Sequence, residues 1–243
     1  MAVFLVNHDH AGIDIRRQRR NASSFIVLNG FDILVAHHVQ AQQPPETQLP
    51  CTLRQGSAQL TAVNQVERAS IKVEADVLNL IAIVKTQSGG DNPLRTADPD
   101  RIGLWGHSMG GGISTRVLTV SGDVDAAVLY GAMSGDEQKN YEAIRKWSEN
   151  TRGLDELNVP VNELTRISPM YFFDQIAAAV SIHHGMADEL VPPEWSMQTC
   201  EQLTALGKTV ECTYYDGLPH TFYGAGDQEF IQNTIRFFNQ YLA

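Results

Sequence analysis

Short apolar runs alternate with helix-spaced apolar positions, and this pattern predicts the elements of the fold. Strands are indicated at residues 2–8, 101–105, 126–130, 177–182 and 209–215. Between and after these runs, apolar residues recur every three or four positions, at Val73, Val77, Leu80, Ile81 and Val84 and again at Ile231, Ile235, Phe238 and Leu242. Runs that are apolar on both faces, such as 126–130, are typical of parallel strands covered by two helix layers. The sequence therefore predicts an α/β fold with a doubly wound, mostly parallel sheet.

One turn between a predicted strand and a predicted helix contains a serine between glycines. Gly106-His107-Ser108-Met109-Gly110 follows the run 101–105 and leads into a glycine-rich helix start. In this context G-x-S-x-G is typical of a nucleophile elbow, a strained turn in which flanking side chains would collide with the strand and helix. We therefore predict Ser108 as a nucleophile; the alternative is an inert glycine-rich turn.

A serine nucleophile needs a base and an acid that orients the base, and in this architecture both follow the serine in the chain. Asp188 comes just after the run 177–182, and His220 just after 209–215. Both therefore lie at the carboxyl ends of strands, where functional groups gather in open α/β sheets.

These two assignments have alternatives. Asp188 could instead cap the helix that begins near Pro192, and Glu189 and Asp216 are competing acids. His220 could be a solvated loop residue. The adjacent His183 and His184 are interpreted as packing residues at a strand end.

Three segments carry a family resemblance. Residues 98–112, 184–192 and 218–224 resemble, in order, motifs of the catalytic domain of α/β-hydrolases of the dienelactone hydrolase and prolyl-oligopeptidase (S9) group. The resemblance extends over roughly residues 98–243. It implies an α/β-hydrolase fold with Ser108 as nucleophile, His220 as base and Asp188 as its orienting acid.

The first hundred residues fit the family pattern less closely. In the family the strand matching 2–8 ends in His-Gly-X, and the amide of X forms half of the oxyanion hole; here Asp9 replaces the glycine and His10 is X. The resemblance thus implies His10 and Met109 as oxyanion-hole donors. Residues 29–36 resemble a further family strand, and 39–70 is expected to be an irregular loop.

A sheet that begins at residue 2 is expected to leave an exposed edge, which would favour pairing with a second copy of the chain as a homo-oligomer.

Residues 134–170 form the predicted specificity element within a single domain spanning 1–243. In this superfamily, insertions at this place cover the active site, so the resemblance implies a small helical cap. Trp147, Tyr171 and Phe172 are the predicted substrate-binding residues; the alternative is that they pack the insertion onto the body.

Composition narrows the function classes. The 243 residues are 43% hydrophobic, enough for one domain with a sizeable core, and the net charge of −10 argues against nucleic acid and anionic membranes as partners. The three cysteines have no paired spacing, so we expect no disulfide framework and a cytoplasmic protein. The apolar start is too short for a signal peptide or membrane span.

The function predicted from the sequence is a serine carboxylesterase that acts on a small-molecule ester, with no cofactor and no metal. An S9-like serine peptidase is the alternative, although no β-propeller or peptide-gripping Arg or Glu pair is evident. Two weaker hypotheses are a catalytically impaired binding protein and a metal site formed by His8, Asp9, His10, His37 and His38.

Overall fold

The computed structural model describes residues 2–7, 24–28, 31–37, 74–92 and 94–243. Its strands are β1 (Ala2–Asn7), β2 (Ser24–Leu28), β3 (Phe31–His37), β4 (Ile102–His107), β5 (Ala126–Tyr130), β6 (Ala179–Gly185) and β7 (Val210–Tyr215). Its helices are α1 (described over 74–87), α2 (Met109–Val120), α3 (Glu137–Trp147), α4 (Leu154–Leu157), α5 (Val161–Ile167), α6 (Pro193–Ala205) and α7 (Gly224–Leu242), with a 3-10 segment at Pro169–Gln175.

The described strands form one seven-stranded sheet in the order β2-β3-β1-β4-β5-β6-β7. All neighbouring strands are parallel except β2, which runs antiparallel to β3 at one edge. The predicted α/β class with a mostly parallel sheet is therefore confirmed. Because the strands from β4 to β7 are parallel, the loops at their carboxyl ends meet along one rim of the sheet.

Side chains of the central strands alternate between two hydrophobic layers, as the two-residue period of a strand requires. Ile102 and Leu104 of β4 join the layer formed with α1, α2 and α6, whereas Trp105 joins the layer covered by α7. Both layers are closed to solvent, so the sheet between them is rigid enough to hold loop residues at its rim in fixed positions.

Three sequence expectations differ from the structure. β1 does not lie at an edge, because it pairs with β3 on one side and β4 on the other; among the described strands the outermost are β2 and β7. On α7 the buried aromatic positions are Phe230 and Phe237, and Ile231 is 46% exposed. β2 was not predicted. Homo-oligomerisation stays a prediction.

The predicted insertion at 134–170 contains α3, α4 and α5. The carboxylate of Asp136 accepts a hydrogen bond from the Gln138 N–H and so caps α3. Arg116 of α2 forms ion pairs with Glu137 of α3 and with Glu74 of α1, which fasten the insertion to the helix that follows Ser108. Its role as a cap stays a prediction, and the predicted loop at 39–70 lies outside the described residues.

Candidate active site

The three residues assigned to the chemistry follow three different strands at one rim of the sheet. Ser108 comes directly after β4, Asp188 follows β6 and His220 follows β7. Because these strands lie side by side with β5 in the order β4-β5-β6-β7, the fold brings together loops that are far apart in the sequence.

Ser108 occupies a strained turn. Its φ of 57° and ψ of −120° are outside the regions that side chains normally adopt, at a cost of about 1–3 kcal/mol. The surrounding backbone holds it there, since the Ser108 N–H donates to the Tyr130 carbonyl at 2.9 Å and the Ser108 carbonyl accepts from Met133 N–H at 3.1 Å. A side chain at Gly106 would overlap the Gly110 backbone, which explains the first glycine of the motif.

His220 and Asp188 form a hydrogen-bonded pair. His220 Nδ1 lies 2.7 Å from Asp188 Oδ2, and the Asp188 side chain is fully buried, while that of His220 is 13% exposed. Since an ionised carboxylate only accepts, Nδ1 carries the proton and Nε2 of the neutral ring is left as the basic nitrogen. Neither Glu189 nor Asp216 occupies this position, and both are exposed.

Asp188 accepts further hydrogen bonds that keep it ionised. Its Oδ1 accepts from the backbone N–H groups of Leu190 and Val191, at 2.8 and 2.9 Å, and its Oδ2 accepts from His184 Nε2 at 3.0 Å as well as from His220. Burial alone would raise the pKa of Asp188, but the hydrogen bonds from the two histidines and from Val191 outweigh it and hold the pKa well below its usual value. If Asp188 only capped the helix near Pro192, its hydrogen bonds to backbone N–H groups would be explained, but those to His184 and His220 would not.

The close approach of the His220 loop to β6 depends on Gly185. A side chain at this position would overlap the carbonyl oxygens of Leu218 and Pro219. The Ala187 N–H donates to the Leu218 carbonyl at 2.9 Å, which joins the two loops directly.

Two aromatic residues that the sequence analysis did not single out support the His220 loop. His107 Nε2 lies 3.0 Å from the His220 carbonyl oxygen, with the two rings 4.6 Å apart. The Tyr130 hydroxyl accepts a hydrogen bond from the Phe222 N–H. Tyr130 is thus hydrogen-bonded to the Ser108 backbone through its carbonyl and to Phe222, two residues after His220, through its hydroxyl, which links the Ser108 turn to the His220 loop. In this conformation the described residues include no hydrogen bond between the Ser108 hydroxyl and His220; such bonds tighten when substrate binds.

The model of the prolyl oligopeptidase family (Peptidase_S9) matches residues 92–243, well over half of the chain. The chain belongs to the prolyl oligopeptidase family. The members of this family are serine hydrolases, and the matched segment contains Ser108, Asp188 and His220.

Solved structures agree on the fold. The acylaminoacyl peptidase of Pyrococcus horikoshii superposes with a TM-score of 0.67 at 17% identity, over 99% of this chain and 37% of that chain. A putative dienelactone hydrolase from Klebsiella pneumoniae gives 0.56 at 16% identity, over 87% and 76% of the two chains. A carbohydrate esterase from gut microbiota gives 0.55 at 20% identity, over 69% and 67%. This prolyl oligopeptidase-family chain thus spans about a third of the length of the acylaminoacyl peptidases it resembles. No curated protein sequence matches it.

The structure places the other predicted site residues at different positions relative to Ser108. Met109 is the first residue of α2, where backbone N–H groups have no intrahelical acceptor, whereas His10 lies outside the described residues. Trp147 and Tyr171 are 43% and 55% exposed. Phe172 lines a cavity of about 460 Å³ with Glu74 and Arg116, away from the three site residues. Substrate binding by Trp147, Tyr171 and Phe172 stays a prediction.

Within the described ranges no group of three or more His, Cys, Asp or Glu side chains is arranged to hold a metal ion. Of the five residues proposed from the sequence as metal ligands, His37 belongs to β3 and the other four lie outside the described part.

The expectation of no disulfide is wrong, because Cys200 of α6 and Cys212 of β7 are bonded. The cytoplasmic location stays a prediction. None of the described helices has both the length and the apolar character of a membrane span.

His183 is a second buried histidine on β6, and its partners are Ser181 and the Tyr215 hydroxyl, each at 2.9 Å. Burial, with a smaller contribution from Arg236, lowers its pKa to about 3. Between about pH 6.5 and 3 the unfolded chain therefore binds a proton that the folded chain does not. The free energy of unfolding decreases as the pH is lowered through this range, by up to ~1.4 kcal/mol per pH unit.

We expect the Tm of the parent protein to fall more between about pH 7.5 and pH 5 than the Tm of His183→Leu, measured by thermal unfolding at both pH values. The low pKa of Asp188 does not contribute in this window, because its stabilisation is lost only as pH falls through the ordinary carboxylate range below about pH 4. Equal pH dependence in both proteins would contradict a neutral buried His183.

Proposed function

We propose that this domain is a serine hydrolase that cleaves small carboxylic esters through an acyl-enzyme on Ser108. The observation that carries the proposal is the buried His220–Asp188 hydrogen bond of 2.7 Å, placed at the same rim of the sheet as the strained Ser108 turn. A strained serine beside a base with a defined tautomer is the arrangement that nucleophilic acyl transfer requires.

In the proposed reaction His220 Nε2 removes the Ser108 hydroxyl proton while the oxygen attacks the acyl carbon. The bond to the alcohol then breaks, and His220 returns the proton to the leaving alkoxide. Water attacks the acyl-enzyme by the same route, with His220 first as base and then as acid, and releases the carboxylic acid and free Ser108. Asp188 stays ionised throughout and stabilises the imidazolium.

Charge on the substrate oxygen needs hydrogen-bond donors that are fixed before the reaction. We assign one donor to the Met109 N–H, because it opens α2, where the helix dipole favours negative charge. The family resemblance assigns the second to His10. No cofactor takes part in these steps.

We favour ester over amide cleavage because an alkoxide leaves with less help from an acid than an amine does, so the reaction asks less of substrate positioning. A peptidase is the second candidate. It is supported by membership of the prolyl oligopeptidase family and by the similarity to the acylaminoacyl peptidase.

A panel of matched ester and anilide substrates tests the choice between esterase and peptidase. p-Nitrophenyl esters of increasing acyl length and aminoacyl p-nitroanilides are compared by kcat/KM. Each value is divided by the rate constant for hydrolysis of the same substrate by hydroxide without enzyme. We expect the esters to keep an advantage of about tenfold or more after this correction. An anilide that equals or exceeds the esters would establish the peptidase instead.

Labelling with a fluorophosphonate tests the third class of function, a binding protein without catalysis. The reagent requires an activated serine, so the parent protein should be labelled and Ser108→Ala should not. A folded parent protein that resists both the label and every substrate in the panel would support the binding protein.

A further inference from the structure

His184, the residue next to His183 on β6, lies behind the proposed acid and is fully buried. Its Nε2 is 3.0 Å from Asp188 Oδ2 and also 3.0 Å from the Val191 carbonyl oxygen, and its Nδ1 is 2.6 Å from the Ser196 hydroxyl of α6. The carboxylate oxygen that faces His220 thus faces a second imidazole on its other side.

The partners of His184 define which nitrogen carries its proton. Both neighbours of Nε2, the Asp188 carboxylate and the Val191 carbonyl, can only accept, so Nε2 must donate to them. In the neutral ring Nδ1 then accepts from the Ser196 hydroxyl. The single N–H at His184 Nε2 therefore links the Asp188 carboxylate to the carbonyl of Val191, which lies later in the same loop.

We propose that His184, held by Ser196, is a positioning residue for the reaction: it fixes the Asp188 carboxylate in the orientation that His220 needs and shares the charge on Oδ2. The inference rests on the proposed function. Packing at a strand end, the interpretation from sequence, describes His183 but leaves the contact between His184 and Asp188 unexplained.

Because His184 and His220 both bond to Asp188 Oδ2, the loss of His184 should change the pH dependence of kcat/KM. Without the His184 N–H, more negative charge remains on the oxygen that faces His220, so the imidazolium is stabilised and the acid limb of kcat/KM moves to higher pH. Among the described residues, the titratable groups near the pair are His107 from β4, Tyr130 from β5, His183 from β6 with its partner Tyr215 from β7, Asp227 of α7 close to Tyr130, and Glu189, exposed beside Asp188.

His183 provides a matched control, because it is equally buried on the same strand and has a serine partner, yet its hydrogen bonds avoid Asp188. We expect His184→Leu to lower kcat about ten- to a hundredfold and His183→Leu to leave it within about threefold, measured where circular dichroism shows both folded. His184→Gln, whose amide N–H can donate to the same carboxylate, should recover most of the loss.

The pH profile separates positioning from a general loss of structure. The acid limb should move up by about half a unit or more in His184→Leu and stay in place in His183→Leu. If His184→Leu does not fold, Ser196→Ala against Ser181→Ala is the replacement pair, with a smaller change in the same direction expected only for Ser196→Ala.

Unchanged kcat and acid limb in the folded His184 or Ser196 variant would overturn the proposal, as would equal effects in both members of a pair. Failure of the proposed function looks different, since the parent protein would then hydrolyse no ester, or Ser108→Ala would be as active as the parent.

Discussion

Ser108→Ala should lower kcat on a short-chain p-nitrophenyl ester by about 10³ or more while KM and the fold change little. Without the hydroxyl no acyl-enzyme can form, and only binding and the oxyanion donors remain to assist attack by water. The replacement also removes no hydrogen bond on which the turn depends, because the Ser108 backbone, not its side chain, bonds to Tyr130 and Met133.

Ser114→Ala is the matched control. Ser114 is fully buried on α2, the helix that follows Ser108, and among the described side chains its hydroxyl has no hydrogen-bond partner. Its removal should leave kcat unchanged and cost no stability. If Ser108→Ala kept activity within about tenfold of the parent protein, the nucleophile would have to be another residue.

Asp188→Asn should cost on the order of 10³–10⁴ in kcat, the second large effect. All four contacts of the carboxylate come from N–H donors, two on each oxygen. An asparagine amide would set its own N–H groups against two of these donors and favour the wrong tautomer of His220. A lower Tm should accompany the loss, because buried donors would be left unpaired.

The neighbouring carboxylates serve as controls in the same assay. Glu189→Gln and Asp216→Asn change exposed side chains, whereas the His220 ring is bonded to Asp188, so each should keep kcat within about twofold of the parent. Greater damage from Asp216→Asn than from Asp188→Asn would mean that the wrong acid has been assigned.

The elbow was predictable because its signal is local. A strand, two glycines around a serine and a helix start occupy consecutive residues, and the steric need for Gly106 follows from that turn alone. The approach of His220 to Asp188 was inferred from their order after strands, since parallel topology turns sequence order into position along one rim.

Features that depend on tertiary contacts were missed. The role of His184 requires knowing that the chain turns back after Gly185, so that a strand residue meets the acid four positions later. Phe230 and Ile231 are adjacent apolar residues of α7, and only the rotation of the helix about its axis against the sheet decides which of the two is buried. The Cys200–Cys212 bond joins a helix and a strand whose proximity no spacing rule shows.

The outermost position of β7 among the described strands makes the site vulnerable to partial unfolding. His107 and His220 touch although they are 113 positions apart, and the base reaches the site only through the last strand and the loop after it. Among the described strands β7 pairs with β6 alone, so it can separate from the sheet at lower cost than a central strand can. A form in which β7 has separated would retain the Ser108 turn but lack its base, and hydrolysis therefore reports the integrity of β7 and the loop after it more sensitively than the secondary-structure content does.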